Sequence, residues 1–147
     1  MLNYGLDACV SMNIKKCRVI NIQTINDCRG NLAVIENSHG SLFKMQRVYY
    51  LYDIPYGADR GGHAHRELEQ IIIAVSGSFR VTIDDGKHTQ SVMLNNPSEG
   101  LYICPMIWRS IDSFSSGAVA LVIASQVYDE SDYFRDYGSF KDSLITS

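Results

Sequence analysis

The chain has 147 residues, a net charge of -3 and 46% hydrophobic residues, which is typical of one soluble globular domain. Its Lys and Arg residues are spread along the chain and form no basic run, so we expect no nucleic-acid partner. The apolar stretches are far shorter than the roughly 20 residues of a membrane-spanning helix, so we expect no membrane segment.

The cysteines and the N-terminus predict where the protein works. The four cysteines lie at irregular spacings without a Cys-x-x-Cys pair, which favours free thiols in a reducing compartment. Residues 1–8 lack the basic n-region of a secretory signal peptide, and Asp7 interrupts any apolar stretch there. We therefore expect a cytoplasmic protein.

Short segments rich in Val, Ile and Tyr, separated by Gly, Asn, Asp and Pro, predict an all-β chain. The predicted strands are 17–24, 31–36, 46–53, 69–75, 79–84, 90–94 and 119–125. The pair Asp85-Gly86 between two of these strands predicts a hairpin. Seven or more short strands at regular spacing are typical of a sandwich, a jelly roll or a barrel.

Only the tail has a helical pattern. Ser131 can serve as the N-cap of a helix that runs to about Leu144, with Asp132 in its first turn. Three aromatic residues lie near helical spacing and could pack on the sheets: Tyr133, Phe134 and Tyr137. We expect a single domain over residues 1–147, with residues 1–15 as a loosely ordered N-terminal extension.

The pair His63 and His65 is the most informative feature of the chain. On a strand, a spacing of two places both imidazoles on the same face. The run Gly57-x5-His63-x-His65-x3-Glu69-x7-Gly77 resembles the first cupin motif, with one extra residue before its final Gly. The sequence therefore predicts that the two histidines lie together inside a strand-rich domain.

Three interpretations of the histidine pair compete. Two His and a Glu can bind a divalent metal, but the second-motif stretch, residues 100–109, has no His, and its Arg109 would repel a cation. The histidines could instead be structural, although two polar rings on an inward face are costly without a polar cavity. The favoured interpretation is metal-free acid–base chemistry, because histidine titrates near working pH.

A longer set of motifs resembles the dTDP-4-keto-6-deoxy-glucose 3,4-ketoisomerases, which are sugar-nucleotide cupins related to the dTDP-sugar 3,5-epimerases. The resemblance covers about residues 18–142 and rests on motifs that occur in this order: Arg47-Val48-Tyr49-Tyr50, Arg60-Gly61-Gly62-His63-Ala64-His65, Leu68-Glu69-Gln70, Gly77-Ser78, Pro97-Ser98-Glu99-Gly100-Leu101-Tyr102, Pro105, Trp108 and Tyr128-Asp129-Glu130-Ser131-Asp132-Tyr133-x-Arg135-x-Tyr137.

The resemblance implies a cupin jelly-roll β-barrel with a short C-terminal helix. It also implies a cofactor-free isomerase without a metal, which moves the ketone of dTDP-4-keto-6-deoxyglucose from C4 to C3. Such an isomerase works ahead of an aminotransferase that makes a 3-amino sugar for a surface polysaccharide. Members of the family are homodimers that exchange N-terminal strands.

The same resemblance implies roles for particular side chains. His63 is the expected base, Tyr49 the expected proton donor or hydrogen-bond partner to a sugar oxygen, and His65 the second participant. Arg47 and Arg60 flank these groups, and their guanidinium forks suit a diphosphate. Gln70, within a matching motif, is expected to bind substrate.

Two further arginines, Arg29 and Arg109, are expected at the sugar end of the substrate. In members that yield the galacto product, the corresponding pair is Arg in the turn and His after the Trp. In members that yield the gluco product, the pair is Tyr and Arg. This chain has one feature of each type, so both product configurations stay open.

Two rival functions are also consistent with the sequence. A 3,5-epimerase shares the fold and also starts by removing a proton next to the C4 ketone, but the compact length and the Arg-Gly-Gly-His-Ala-His run favour the ketoisomerase. A non-enzymatic cupin would bind a sugar or a metal as a sensor. It predicts no turnover of any keto-sugar nucleotide.

Overall fold

The structure, a computed structural model, describes residues 13–146. Within this range the chain forms twelve β-strands, two short 3-10 turns and one α-helix. The strands are β1 (Arg18–Asn21), β2 (Gln23–Asp27), β3 (Gly30–Val34), β4 (Arg47–Leu51), β5 (Arg60–His65), β6 (Gln70–Ser76), β7 (Phe79–Asp84), β8 (Thr89–Leu94), β9 (Glu99–Ile103), β10 (Trp108–Asp112), β11 (Val119–Ala124) and β12 (Tyr133–Phe134), and the helix is α1 (Tyr137–Ile145).

Two antiparallel five-stranded sheets make up the body of the protein. Their strand orders are β1-β9-β6-β11-β4 and β12-β5-β10-β7-β8, while β2 and β3 form a separate hairpin. One hydrophobic core joins the two sheets, with Ile72 of β6 from the first and Val81 and Ile111 of β7 and β10 from the second. The all-β jelly-roll arrangement and the short C-terminal helix are therefore confirmed, as a sandwich of two sheets.

Most predicted strands are present, but the one at 17–24 is wrong as a single element. The chain divides at the buried Ile22, whose N–H donates to the Ser98 carbonyl at 2.8 Å, so β1 joins a five-stranded sheet and β2 joins the hairpin. Strand β9 was not predicted because Gly100 lowers strand propensity. A Cβ at Gly100 would lie 2.7 Å from the Ile71 side chain, so close packing on β6 requires glycine.

The predicted helix start at Ser131 is wrong. Ser131 lies inside a 3-10 turn (Glu130–Asp132) that is capped by Asp129, and the following residues form β12, which pairs with β5. Helix α1 starts later, with Asp136 as its N-cap accepting from the Ser139 N–H at 2.8 Å. Pairing with the open edge of β5 therefore overrides the helical pattern of the preceding segment.

The hairpin predicted at Asp85-Gly86 joins β7 to β8. The buried Asp85 carboxylate accepts from the N–H groups of Lys87 at 3.0 Å and His88 at 2.8 Å, which closes the turn. Gly86 has a φ of 91°, a conformation that favours glycine.

The structure tests part of what was predicted for the N-terminus and for the cysteines. Of the predicted extension, residues 1–12 lie outside the described residues, and Ile14 is buried in a 3-10 turn (Ile14–Lys16). Cys17, Cys28 and Cys104 are free thiols, as expected, while Cys9 lies outside the described residues. Between residues 13 and 146, no helix is long and apolar enough to span a membrane.

Candidate active site

A cavity of about 480 Å³ has walls built by strands β4, β5, β6, β10 and β11 and by the segment that follows β11. Six of the eight side chains predicted to form the site line it: Arg47, Tyr49, Arg60, His63, Gln70 and Arg109. They come from four different strands, so the fold gathers residues that are up to 62 positions apart in the sequence.

His63 reaches the cavity from β5 through an irregular backbone. Gly61 and Gly62 before it have φ values of 90° and 64°, and β10 has a register shift opposite them between Arg109 and Ser110. A Cβ on Gly61 would lie 3.1 Å from the Arg109 carbonyl oxygen, so only glycine allows this approach without displacement.

His63 is held neutral. Burial and, next, the positive charge of Arg109 lower the pKa of its imidazole to about 4, an effect that the Gly61 carbonyl partly offsets. Its ring nitrogens are buried and make no well-formed hydrogen bond to the described protein. At neutral pH the ring can therefore accept a proton from a bound molecule.

His65 lies on the same side of β5 as His63, as the spacing predicts, but behind the cavity wall. Its side chain is fully buried, and its ring centroid lies 4.9 Å from that of His63 and 4.2 Å from that of Tyr133. Its Nδ1 is 3.0 Å from Oδ2 of Asp132. Burial, then the charge of Arg109, lowers the His65 pKa to about 2, so this ring is neutral too.

Tyr49 of β4 and Gln70 of β6 form a pair in the cavity wall. The Gln70 side-chain amide donates to the Tyr49 hydroxyl oxygen at 3.2 Å, which leaves the phenolic proton free to be donated elsewhere. Burial raises the pKa of Tyr49, partly opposed by the charge of Arg109. Tyr49 is therefore a neutral proton donor at working pH.

Arg109 of β10 is the most unusual group of the site. It is 1% exposed, and none of its three guanidinium nitrogens makes a hydrogen bond within the described protein. Burial lowers its pKa to about 10, so it still carries a charge at neutral pH. Because a buried charge without acceptors is costly, the site is built for a ligand that supplies oxygen acceptors.

The other predicted arginines occupy three different environments. Arg47 has two buried nitrogens without a hydrogen-bond partner among residues 13–146, and its guanidinium lies 5.3 Å from the centroid of the Tyr49 ring. Arg60 is exposed and lines the cavity. Arg29 lies at the turn between β2 and β3, where it pairs with Asp27 at 2.6 Å and does not line the cavity of its own chain.

Among the lining residues that were missing from the predicted site, four have polar side chains: Asp59, Tyr128, Tyr133 and Arg135. Tyr133 and Arg135 belong to the segment that was predicted as a helix, and Tyr128 lies just before it. Arg135 forms a two-pronged ion pair with Glu130, at 2.9 and 2.8 Å, and its guanidinium carbon lies 4.0 Å from the Tyr133 ring centroid. The density of aromatic and charged residues in this segment was the signal that could have placed it at the site.

The third residue of the cupin motif, Glu69, does not join the histidines. Its carboxylate accepts from the Tyr102 hydroxyl at 2.5 Å, and it does not line the cavity. In the part of the chain that the structure describes, no group of three His, Cys, Asp or Glu side chains is arranged to hold a metal ion.

The cavity brings together candidate proton-transfer groups from both sheets, His63 and Tyr49, and guanidinium nitrogens that have no acceptor among the described residues. This combination is typical of a cupin that moves protons on an anionic substrate. Residues 15–144 match the family described as FdtA: WxcM-like, C-terminal. The TDP-4-oxo-6-deoxy-alpha-D-glucose-3,4-oxoisomerase of Aneurinibacillus thermoaerophilus is 44% identical over 124 residues, which are 84% of this chain and 89% of that one. The chain belongs to this family, and it is an isomerase.

Solved structures agree with the family assignment. The 3,4-ketoisomerase of Helicobacter canadensis is 40% identical, with a TM-score of 0.84 over 88% of this chain and 97% of that one. A variant of the Thermoanaerobacterium thermosaccharolyticum 3,4-ketoisomerase, solved with TDP-4-keto-6-deoxyglucose, is 35% identical, with a TM-score of 0.85 over 88% and 94%. A Bacillus anthracis 3,5-epimerase, 13% identical with a TM-score of 0.71 over 82% and 78%, shares the fold alone.

Proposed function

We propose that this isomerase converts dTDP-4-keto-6-deoxyglucose to a dTDP-3-keto-6-deoxyhexose by metal-free proton transfer. The observation that carries the proposal is the neutral His63 in a cavity where the buried guanidinium of Arg109 has no acceptor in the described part of the chain. A keto-sugar nucleotide supplies both an acidic C–H for the histidine and oxygen acceptors for the arginine.

The proposed reaction is a proton shift in two steps. The C4 ketone acidifies the C3 proton, which His63 removes while the Tyr49 hydroxyl protonates the C4 oxygen. The resulting enediol returns its O3 proton to the Tyr49 phenolate, and the protonated His63 delivers its proton to C4. His63 and Tyr49, which are both neutral at the start, are thereby returned to their neutral forms, and no electron acceptor is needed.

The buried guanidinium of Arg109 would stabilise the enediolate character that develops on the sugar oxygens. Arg47 and Arg60, on β4 and β5, would bind the diphosphate, because both line the cavity and guanidinium groups pair well with phosphate oxygens. Gln70 would orient Tyr49 through the hydrogen bond already described.

A metal-free mechanism is supported by the chemistry of the cavity wall. The Arg109 charge lowers the pKa of both His63 and His65, so the same charge would oppose a cation beside their rings. The Glu69 carboxylate, which would complete a cupin metal site, is instead engaged by Tyr102.

A strand-exchanged homodimer is part of the proposal, supported by the β2–β3 hairpin. Ile25 and Leu32 face each other across this hairpin and are 55% and 56% exposed, so an apolar surface is uncovered in the single chain. Exchange of this hairpin would carry Arg29 to the cavity of the partner subunit. Light scattering is expected to give twice the mass of one chain.

The setting of the enzyme is also proposed. Free thiols at Cys17, Cys28 and Cys104 favour the cytoplasm. A 3-keto sugar nucleotide is a substrate for an aminotransferase, which would act next and lead to a 3-amino sugar for surface polysaccharide.

Turnover of dTDP-4-keto-6-deoxyglucose tests the proposed function. NMR of the product, trapped by a 3-aminotransferase, is expected to place the ketone at C3, and the same spectrum gives the configuration at C4. Protein dialysed against EDTA is expected to react at the same rate as untreated protein. Absence of turnover would favour a binding protein, and loss of activity after dialysis that returns with a divalent ion would contradict the metal-free mechanism.

The dependence of kcat/KM on pH tests whether His63 is the base. The neutral ring is the reactive form, and burial places its pKa near 4 instead of the usual value near 6.5. We therefore expect kcat/KM to stay level as the pH falls from 7 to about 5 and to decrease only near 4. Circular dichroism at each pH separates this loss from unfolding. An acid limb centred near 6.5 would contradict the assignment.

A further inference from the structure

Asp132 connects the segment after β11 to the histidine motif through its side chain. Its Oδ2 lies 3.0 Å from Nδ1 of His65, and its Oδ1 accepts from the Glu67 N–H at 2.8 Å. Its Oδ2 also accepts from the Leu68 N–H at 3.3 Å. The carboxylate is buried and joins residues more than 60 positions away in the sequence.

This contact determines the tautomer of His65. A carboxylate oxygen only accepts, so the Nδ1 of the neutral His65 ring must carry the proton and donate it to Asp132. The Nε2 of His65 is then a bare acceptor, and it is buried without a hydrogen-bond partner in the described protein. Two rings contact the His65 ring: that of Tyr133, with centroids 4.2 Å apart, and that of His63, with centroids 4.9 Å apart in an edge-to-face contact at 87°. Of these two rings, only that of His63 gains a ring N–H donor when it takes up a proton.

We propose that Asp132 is a positioning residue of the ketoisomerase: it holds His65 as the Nδ1–H tautomer, so that Nε2 of His65 accepts a hydrogen bond from protonated His63 and stabilises it. The inference rests on the proposed function, since it gives His63 a proton during turnover. The hydrogen bond between the two rings forms in that state, because catalytic hydrogen bonds are often long in the ligand-free protein and tighten in the complex.

The surroundings of Asp132 distinguish it from a carboxylate that only closes a turn. Asp129 and Asp136 are exposed and accept from groups two or three residues away in the sequence. Asp132 instead contacts a side chain on another strand, directly behind the proposed base. His65 thus acts through His63 and does not touch substrate, which agrees with its position outside the cavity lining.

The variant Asp132→Asn is designed to change the tautomer of His65 while the fold is kept. The amide oxygen can still accept from the Glu67 N–H. The NH2 group takes the place of Oδ2, so the long 3.3 Å bond from the Leu68 N–H is lost, and the NH2 group faces Nδ1 of His65 and favours the Nε2–H tautomer. Two donors would then face each other when His63 is protonated. We expect kcat to fall about 100-fold, because a wrong tautomer impairs a proton-transfer step strongly, and KM to change little. The matched control is Asp136→Asn, which alters a helix cap away from the histidines.

Nitrogen-15 NMR of the His65 ring provides a readout that does not depend on turnover. The wild-type protein is expected to show an unprotonated Nε2 and a protonated Nδ1, and Asp132→Asn is expected to show the reverse. A protonated Nε2 in the wild type would overturn the inference, even if the variant fails to fold. A reversed tautomer with unchanged kcat would overturn it equally. Lack of wild-type turnover would refute the proposed function, while the NMR result would still decide the tautomer.

Discussion

Replacing His63 by Asn is expected to lower kcat by about 10³-fold, within the range that a general base contributes. The amide cannot take the C3 proton, while its size and polarity keep the cavity close to its present shape. The affinity for dTDP should stay nearly unchanged, because the proposed diphosphate ligands are Arg47 and Arg60 and not His63. This combination of results would identify a base and not a binding residue.

Calorimetry with dTDP and single-turnover kinetics would measure the two effects separately. His39→Asn serves as the control, because His39 is exposed, does not line the cavity and carries the same substitution. It should retain full activity. Retained activity in His63→Asn would remove His63 from the role of base.

Replacing Arg109 by Met is expected to make the ligand-free protein more stable and the enzyme much less active. Arg109 is 1% exposed and its guanidinium has no hydrogen bond to the residues that the structure describes, so an apolar side chain of similar length removes a desolvated charge. Replacing buried ionic groups by apolar ones raises stability by about 1–4 kcal/mol in favourable cases. Loss of one group that stabilises developing negative charge lowers kcat by about 10²- to 10³-fold.

Thermal unfolding and steady-state kinetics test both halves of this prediction. Arg80→Met on the adjacent strand is the matched control, because Arg80 is exposed and pairs with Asp112 at 2.8 Å. It should neither raise Tm nor change kcat. A lower Tm for Arg109→Met would mean that the guanidinium already has a compensating partner in the free protein, and it would contradict the role of Arg109 as a buried charge that awaits a ligand.

Most strands could be predicted because alternation of apolar and polar residues, and short apolar runs, indicate directly which side chains are buried in a sheet. Strand β10 was missed because one of its inward-facing positions is occupied by Arg109, and an arginine in a sequence usually indicates an exposed position. Strand β12 was missed because its two residues are ordered by pairing with β5, a contact between distant parts of the chain. Local propensity carries no information about such a contact.

The site was predictable where its residues lie within motifs and unpredictable where the fold brings separate segments together. The spacing of two residues correctly predicted that His63 and His65 lie on one face of a strand. It did not predict that His65 lies behind the cavity wall. The partner of His65, Asp132, was assigned to a helix because Ser131 and Asp132 resemble a helix N-terminus. Only the pairing of β12 with β5 turns this carboxylate towards the histidines.

Turnover in heavy water tests whether His63 transfers a proton between C3 and C4. If it does, the product has its ketone at C3 and C5 keeps its original hydrogen, while C4 carries the hydrogen taken from C3 or, where protonated His63 exchanges with the solvent before delivery, deuterium. Deuterium at C5 with the ketone still at C4 would contradict the account and would indicate the chemistry of a 3,5-epimerase.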